Sequence, residues 1–304
     1  MRVHVAVVSP QNFRFGHFFN DIIRMLMGGL EDAGVRVTLA VNKVESGCLN
    51  LLIGAHLIGT PQEVQQLKDA NIAYIAVNTE VVKPTGLNTA ANRTYLDQVY
   101  LPLLANAVEV WDLARASKGQ LRTHGIDCHW VEPGYTSALE DFQSLEHQDI
   151  DFFFYGSMTD NRKMVLETLM RRGHKVEYQF DAPALYRNHL IRRTKVNLTP
   201  RQSVDMGQLP WTRILYQVHN QCLAMVEGCN EQAWLEDTFQ WAPSETYVEA
   251  CEALLVREDR EDLAKQGYER LRERPFADRL RPALERSMAS MAAGRRARGP
   301  SWAS

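Results

Sequence analysis

Short apolar segments alternate with longer amphipathic segments along most of this chain. The apolar segments have the length of buried strands, and the amphipathic segments space their apolar residues as helices do. In the first half, this pattern predicts strands over Val3–Ser9, Val35–Val41, Cys48–Ile58, Ile72–Val77, Val108–Leu113 and Asp127–Val131. Between these strands it predicts helices over His17–Ala33, Gln62–Ala70, Arg93–Ala105 and Ala114–His124. Such alternation is typical of a parallel, doubly wound sheet.

The same pattern begins again at Ile150. The apolar run Ile150–Tyr155 ends in Gly156-Ser157 and leads into the amphipathic stretch Arg162–Arg172. A strand, a glycine turn and a helix N-terminus together offer free backbone N–H groups to a phosphate. Further segments follow over Lys175–Phe180, Ala182–Arg193, Lys195–Thr199, Trp211–Gln221, Cys222–Val226 and Ser244–Leu255. Two such beginnings predict an α/β protein with two Rossmann-like, doubly wound parallel-sheet domains that face a cleft.

The predicted domains follow from these patterns. The first covers residues 1–135 and the second covers residues 151–275. Residues 136–150 are predicted to be the linker between them, because residues 136–149 have no strand pattern and contain four acids. A helix over 276–293 is expected to pack back on the domains, and the small, polar and basic residues 294–304 are expected to be disordered.

Composition narrows the class of protein. The chain has 304 residues with 45% hydrophobic content, which is ordinary for a folded protein. No apolar run approaches the roughly 20 residues of a membrane helix. The N-terminus enters a strand directly and lacks the pattern of a signal peptide. Five cysteines without a C-x-x-C pair indicate reduced thiols, so we expect a cytoplasmic protein.

Charge is unevenly distributed along the second half. The whole chain carries a net charge of −3, yet residues 151–215 hold eleven Lys/Arg against six Asp/Glu, which is +5. Residues 216–290 hold nine against fifteen, which is −6. A local basic field in a mildly acidic chain favours a small anionic ligand over a nucleic-acid polymer as a partner.

Candidate ligand contacts lie where strands end in the second domain. Gly156 permits close approach of a phosphate, and Ser157 supplies a hydroxyl group. Three cations could neutralise a diphosphate, namely Arg162, Lys195 and Arg213. Glu227 follows a strand and could accept hydrogen bonds from ribose hydroxyls, although an acid at this position can also cap a helix.

These residues resemble the motifs of glycosyltransferases with the GT-B architecture, of the group-1-like, family 4-type kind. The matching pieces are Tyr155-Gly156-Ser157 with Arg162, Lys195-Val196-Asn197-Leu198, Arg213-Ile214-Leu215, Val226-Glu227 and Val131-Glu132-Pro133-Gly134-Tyr135. The resemblance implies a hexosyltransferase-like enzyme that binds a nucleotide-diphosphate sugar, such as a UDP-sugar, mainly through its second domain. Trp211-Thr212 stands where such enzymes place an acid, and His219 stands where many have a glutamate, so His219 joins the donor-binding candidates.

The resemblance also assigns the first domain to the acceptor, which is a small molecule, a glycan or a protein. The loop Ser9–His17 follows the first strand, and in similar enzymes this loop contacts both substrates. Gly16 is therefore a donor-binding candidate, and the acceptor-binding candidates are Asn12, Arg14 and Tyr135. Three side chains could act as the catalytic base, each with a capping or packing role as the alternative: His17, Glu80 and Asp112.

No metal or cofactor site is expected from the sequence. Asp149-Ile150-Asp151 has the D-x-D form of a metal motif, but it precedes a buried strand and not an open loop. We therefore expect a glycosyltransferase that needs no metal ion, with its donor nucleotide, sugar, acceptor and stereochemistry left open. The alternatives are an inactive nucleotide-binding or scaffold protein of the same fold, and a nucleotide-sugar epimerase.

Overall fold

The computed structural model describes residues 1–11, 13, 16–88, 92–113, 115–143, 145, 147–181, 183–203, 208–229, 234–294 and 297. The chain divides into two units, each with its own sheet. Unit 1 comprises Met1–Pro133 with Phe276–Ser304, and unit 2 comprises Gly134–Pro275. Unit 1 is therefore built from both ends of the chain.

Unit 1 contains a six-stranded parallel sheet in the order β2-β1-β3-β4-β7-β8. Its strands are β1 (Arg2–Val7), β2 (Arg36–Val41), β3 (Leu49–Ile53), β4 (Tyr74–Asn78), β7 (Glu109–Asp112) and β8 (Cys128–Trp130). A separate two-stranded pair is formed by β5 (Val82–Lys83) and β6 (Gly86–Leu87). The central strands β1, β3 and β4 are buried at nearly every position, because both faces of a parallel sheet are covered.

The helices of unit 1 follow the strands in the predicted alternation. They are α1 (Asn20–Asp32), α2 (Pro61–Asp69), α3 (Arg93–Tyr95), α4 (Leu101–Asn106), α5 (Lys118–Thr123) and α11 (Phe276–Ala292). A π-helical turn, Leu96–Tyr100, joins α3 to α4, and 3₁₀ turns occupy Gly16–Phe19 and Ala55–Leu57. The start of α2 is fixed by Pro61 and by a capping box between Thr60 and Glu63.

Helix α11 completes unit 1 from the far end of the sequence. Its Phe276 and Leu280 are fully buried and pack against α1. Ser287 donates a hydrogen bond to the Glu109 carboxylate over 2.8 Å and accepts one from the Trp111 ring N–H over 3.2 Å. The buried carboxylate of Glu109 also pairs with Arg286 at 3.1 Å. Apolar packing and a satisfied polar network therefore hold this helix on β7 and α1.

Unit 2 contains a five-stranded parallel sheet in the order β10-β9-β11-β12-β13. The strands are β9 (Ile150–Tyr155), β10 (Val176–Gln179), β11 (Thr194–Thr199), β12 (Ala224–Glu227) and β13 (Gln240–Ala242). The helices are α6 (Asp160–Arg171), α7 (Ala184–Arg192), α8 (Trp211–His219), α9 (Tyr247–Leu255) and α10 (Arg260–Arg272). Short 3₁₀ turns occupy Ser137–Leu139 and Ser244–Thr246. The two parallel sheets with flanking helices confirm the predicted α/β class.

Two of the predicted segments differ in the structure. The third strand ends at Ile53, because Gly54 adopts a positive φ of 75° and a 3₁₀ turn follows. Residues 136–150, predicted as a linker, fall within unit 2. There the side chain of Asn220 accepts hydrogen bonds from the N–H groups of Asp141 and Phe142.

Two further sequence expectations concern the tail and membranes. The predicted disordered segment 294–304 lies outside the described residues, apart from Gly294 and Ala297. In the described part of the chain, no helix combines the length and the apolar character that crossing a membrane requires.

The contact between α1 and α11 predicts a stability effect at Gly29. A Cβ atom there would lie 2.6 Å from Phe276 Cδ1 and 2.7 Å from Leu280 Cδ1. We expect Gly29→Ala to lower the free energy of unfolding by about 1–3 kcal/mol, because a packed interface would have to shift. Urea denaturation measures this change.

The matched control is Gly119→Ala, in α5, where no atom lies within 4 Å of the added Cβ. That substitution should leave stability equal or raise it by up to about 1 kcal/mol, because alanine favours the helix. Equal effects of the two substitutions would contradict the packing argument.

Candidate functional site

The turn after β9 lies at the carboxyl end of the unit 2 sheet. Gly156 has φ of +140°, and a Cβ atom there would lie 2.5 Å from Nη2 of Arg213. The backbone conformation therefore favours glycine, and a larger residue would also have to displace the guanidinium group of Arg213. The carboxyl edge of a parallel sheet is where doubly wound proteins bind ligands.

Two arginines converge on this turn from two helices. Arg213, near the start of α8, donates from Nε to the carbonyl oxygen of Tyr155 over 2.8 Å. Arg162, in the first turn of α6, donates from Nη1 to the carbonyl of Ser157 over 2.7 Å and to its hydroxyl over 3.1 Å. The two guanidinium carbons lie 5.1 Å and 4.8 Å from the centre of the Phe154 ring, so one aromatic ring contacts both cations.

The charge of this pair is not balanced by a directly bound carboxylate among the described residues. Arg162 is buried, and its hydrogen bonds go to carbonyl and hydroxyl oxygens, including the carbonyl of Pro200. Nη1 of Arg213 is buried and has no hydrogen-bond partner in the described part of the chain. Burial and the charge of Arg213 lower the pKa of Arg162 to about 9, and burial lowers the pKa of Arg213. Such a pair gains stability from a bound anion.

Glu227 ends β12 beside the same edge and is buried. Its Oε2 accepts hydrogen bonds from Nδ2 of Asn161 over 2.9 Å and from the backbone N–H of Arg201 over 2.8 Å. Its Oε1 lies 3.5 Å from Nε of Arg201. The carboxylate thus fixes the chain after β11, and its remaining lone pairs can accept hydroxyl groups.

Lys195 and Asn197 lie away from this turn. Lys195 is the second residue of β11, so it lies at the amino end of the sheet, roughly 13 Å along the strand from Thr199. Its Nζ pairs with Oδ1 of Asp151 at 2.8 Å. Asn197 is fully buried in the middle of β11, and its amide has no hydrogen-bond partner among the described residues. The structure therefore joins Tyr155, Gly156, Ser157, Arg162, Arg213 and Glu227, and places these two candidates elsewhere.

His219 and Tyr135 form a separate cluster within unit 2. The buried His219 ring stacks on Tyr135, with ring centres 5.4 Å apart. Its Nδ1 donates to the carbonyl of Leu215 over 2.7 Å, and its Nε2 accepts the N–H of Thr136 over 3.2 Å, which assigns a neutral tautomer. The Tyr135 hydroxyl donates to Glu140 over 2.5 Å. These contacts anchor the chain where it enters unit 2.

In unit 1, Asp112 belongs to a buried polar network at the carboxyl ends of β4 and β7. Its Oδ1 accepts a hydrogen bond from Nδ2 of Asn78 over 2.8 Å, and that amide also donates to Ser117. Tyr100 donates its hydroxyl hydrogen to the side-chain oxygen Oδ1 of Asn78 over 2.6 Å. Burial raises the pKa of Tyr100 well above its ordinary value. The network joins two strand ends to the turn at Glu80, whose carbonyl accepts from Asn78 and Ser117.

The side chain of Glu80 meets a histidine that the sequence patterns did not single out. Oε1 of Glu80 lies 3.7 Å from Nε2 of His56, and both side chains are largely buried. Burial lowers the pKa of His56 to about 4, so the ring is neutral near pH 7. The sequence contains a pattern that could have identified His56, because this residue follows a strand and the glycine Gly54. The predicted strand Cys48–Ile58 extended past His56, so the histidine was not recognised as lying at a strand end.

The remaining first-domain candidates are only partly described. Gly16 and His17 begin the 3₁₀ turn before α1, and no side-chain geometry is described there. Asn12 and Arg14 lie outside the described residues.

Among the described residues, no group of three His, Cys, Asp or Glu side chains is arranged to hold a metal ion. Asp149 and Asp151 instead pair with Lys175, Arg193 and Lys195.

Comparison with known proteins identifies the fold. No family model and no curated protein matches the sequence. The structure is similar to T4 phage BGT in complex with its UDP-glucose substrate, with TM-score 0.55, 9% identity and coverage of 96% of this chain and 99% of that chain. AviGT4, a glycosyltransferase involved in avilamycin A biosynthesis, gives TM-score 0.56, 14% identity and coverage of 95% and 98%.

A third similar structure is the UDP-GlcNAc 2-epimerase from Neisseria meningitidis bound to UDP-GlcNAc. It gives TM-score 0.51, 9% identity and coverage of 95% of this chain and 100% of that chain. These similarities confirm the predicted GT-B fold with its two Rossmann-like sheets. The family 4-type detail of the resemblance stays a prediction.

The buried neutral ring of His56 predicts a pH-dependent stability. The folded protein binds a proton at His56 only near pH 4, whereas the unfolded chain binds it near the ordinary value of 6.5. As pH falls through this window, the unfolded state takes up the proton first and folding stability decreases. The shift corresponds to a loss of up to about 3 kcal/mol between the two pKa values.

Two variants isolate this effect from packing changes. His56→Gln and His56→Leu should both weaken the dependence of the unfolding free energy on pH, whatever their stability near neutrality, because neither side chain titrates. Urea denaturation at about pH 7 and about pH 4.5 measures how much the free energy of unfolding of each variant changes with pH. A pH dependence identical to that of wild type in both variants would contradict a neutral buried His56.

Proposed function

We propose that this protein is a glycosyltransferase that takes its sugar from a nucleotide-diphosphate donor. The observation that carries the proposal is the pair of arginines, Arg162 and Arg213, held against the Gly156 turn without a directly bound carboxylate among the described residues. The GT-B fold supports it, because two similar structures are described as a glycosyltransferase or as bound to UDP-glucose.

The donor would bind through unit 2. The diphosphate oxygens would accept hydrogen bonds from the two guanidinium groups and would lie near the N-terminus of α6. Gly156 would allow the phosphate to approach the backbone, and the exposed hydroxyl of Ser157 would add a donor. Glu227, already oriented by Asn161 and Arg201, would accept hydrogen bonds from the ribose hydroxyls.

Departure of the nucleoside diphosphate leaves negative charge on a phosphate oxygen. Preorganised cations that stabilise this charge lower the barrier to transfer. For an inverting reaction, an acceptor hydroxyl also needs a base, and we favour Glu80 for this role over Asp112. Asp112 is held in the network with Asn78, whereas Glu80 lies beside the neutral ring of His56.

The epimerase remains a second candidate, because one similar structure is a UDP-GlcNAc 2-epimerase with bound UDP-GlcNAc. An epimerase would return a modified donor without an acceptor, whereas a transferase would yield the nucleoside diphosphate and a glycosylated product. Mass spectrometry and proton NMR of the products separate the two reactions. An inactive binding protein would bind the nucleotide and yield neither product.

Nucleotide binding gives the first test. Titration calorimetry with UDP, GDP and TDP and with their glucose conjugates should reveal one preferred base. Arg162→Gln should weaken that affinity by about ten- to a hundred-fold, as expected for the loss of a charge-assisted hydrogen bond in a buried site. Glu227→Gln should weaken binding of the nucleoside diphosphate by about ten-fold, because the amide accepts fewer hydrogen bonds from ribose.

Arg171→Gln is the matched control, since Arg171 is an exposed arginine at the other end of the same helix. It should leave the affinity unchanged. Arg162→Lys keeps the charge and should retain part of the binding, which separates loss of charge from misfolding. Failure of the wild-type protein to bind any of these nucleotides would refute the proposal.

Metal dependence gives the second test. We propose that Arg162 and Arg213 perform the charge neutralisation that a divalent cation performs elsewhere, so transfer rates should be equal in EDTA and in Mg²⁺ or Mn²⁺. The comparison is informative because one similar structure, of T4 phage BGT, contains UDP and Mn²⁺. Loss of transfer in EDTA that is restored by either cation would refute the metal-independent form of the proposal.

A further inference from the structure

Unit 1 contains a cavity of about 450 Å³ beside β1, at the place where a crossover helix is missing. Parallel strands are usually joined through a helix, but residues 42–48, all of them described, connect β2 to β3 as a loop without one. Ala6 and Leu52 of the sheet line the cavity, with Val44 of the loop and Leu67 of α2 on its sides. Its volume lies in the range of small-molecule pockets.

The walls of this cavity are fixed by hydrogen bonds within the protein. The buried His4 ring contacts the carbonyl of Lys43 through Nε2 over 3.0 Å, and Asn50 accepts the N–H of Glu45 over 2.9 Å. Asn42 exchanges two hydrogen bonds with the backbone of Ser9, at 2.7 Å and 2.6 Å. The capping box of Thr60 fixes the start of α2 opposite. The cavity is therefore preformed and does not depend on a mobile wall.

The position of the cavity relates it to the carboxyl edge of the unit 1 sheet. Pro10, Asn42 and Leu57 line it, and these residues follow β1, β2 and β3 respectively. Leu57 directly follows His56, whose ring lies 3.7 Å from the Glu80 carboxylate. One end of the cavity therefore reaches the carboxyl edge of the sheet, where the proposed base Glu80 follows β4, and the other end is lined by Ala70 and Ile72 before that strand.

Lys43 and Glu63 both line the cavity and are exposed. The Glu63 carboxylate is engaged by the capping box with Thr60, so Lys43 is the charge that could pair with an anionic substituent.

We propose that this cavity binds the apolar body of the acceptor, a small aromatic or alicyclic alcohol whose hydroxyl group reacts at the carboxyl edge. This inference rests on the proposed glycosyltransferase function. In the transfer, the acceptor oxygen forms a bond to the anomeric carbon, and the bond from that carbon to the phosphate oxygen breaks. The nucleoside diphosphate leaves with the electron pair, and the hydroxyl proton passes to the Glu80 carboxylate.

The cavity itself is tested with an apolar anion, 1-anilinonaphthalene-8-sulfonate, by fluorescence titration. Gln66 lies on the exposed face of α2 and lines the cavity, so Gln66→Trp should fill it and weaken binding of this probe by about ten-fold or more. The control is Gln62→Trp, on the same helix at an exposed position outside the lining. Equal titrations of wild type and both variants would overturn the cavity as a ligand site.

The occupant is tested by transfer assays with the donor that binds most tightly. We expect 2-naphthol to be glycosylated and its KM to rise by about ten-fold in Gln66→Trp, while donor affinity stays unchanged and Gln62→Trp behaves as wild type. Transfer only to glucose, at the same rate in Gln66→Trp, would overturn the apolar acceptor and leave the glycosyltransferase intact. Absence of donor binding, with probe binding still sensitive to Gln66→Trp, would instead refute the proposed function and with it the assignment of the cavity to an acceptor.

Discussion

The site in unit 2 depends on two guanidinium groups that share one aromatic ring without a directly bound carboxylate among the described residues. Arg162 and Arg213 both contact Phe154, and each is oriented by backbone carbonyls at the Gly156 turn. Burial lowers the pKa of both groups, and the charge of Arg213 lowers the pKa of Arg162 further. The protein tolerates this cost at a strand end, where an anionic ligand can offset it. A carboxylate placed between them would remove the cost and also the affinity for a phosphate.

The carboxyl edge of the unit 1 sheet has a different chemistry. It carries the acids Glu80 and Asp112 and the neutral His56. The side chain of Asn78 donates hydrogen bonds to Asp112 and to Ser117 within this buried group. Glu227 has two roles in unit 2. Its carboxylate holds the chain after β11, and its remaining lone pairs can still accept hydrogen bonds from a ligand. Polar groups at strand ends can thus build the turns and still serve a ligand. For this reason, removing such a side chain tests structure and binding together, and conservative variants are needed.

Much of the fold was predictable from the sequence, because the apolar segments have the period and length of strands and the glycine after Tyr155 marks a turn. The cluster of Gly156, Ser157, Arg162 and Arg213 followed from the same reasoning. Lys195 did not belong to it, although the predicted segment Lys195–Thr199 already began there. A residue at the start of a strand lies at the amino end of a parallel sheet, and the pairing of Thr194 with Ile150 shows this position for its neighbour Lys195. His56 was missed because an apolar run continued past the true strand end at Ile53. The segment 136–150 looked like a linker because its contacts, through Asn220, come from residues distant in the sequence.

The discontinuity of unit 1 has a consequence for the synthesis of this protein. The α1 surface around Gly29 and the buried carboxylate of Glu109 are covered by α11, which is translated after all of unit 2. The N-terminal part of unit 1 therefore keeps apolar surface exposed while all of unit 2 is translated. Unit 2 has no such delay, because its strands and helices are contiguous and can pack as they emerge. Premature termination within α11 would leave the first unit unfinished and a target for proteolysis, even though every candidate ligand residue had already been made.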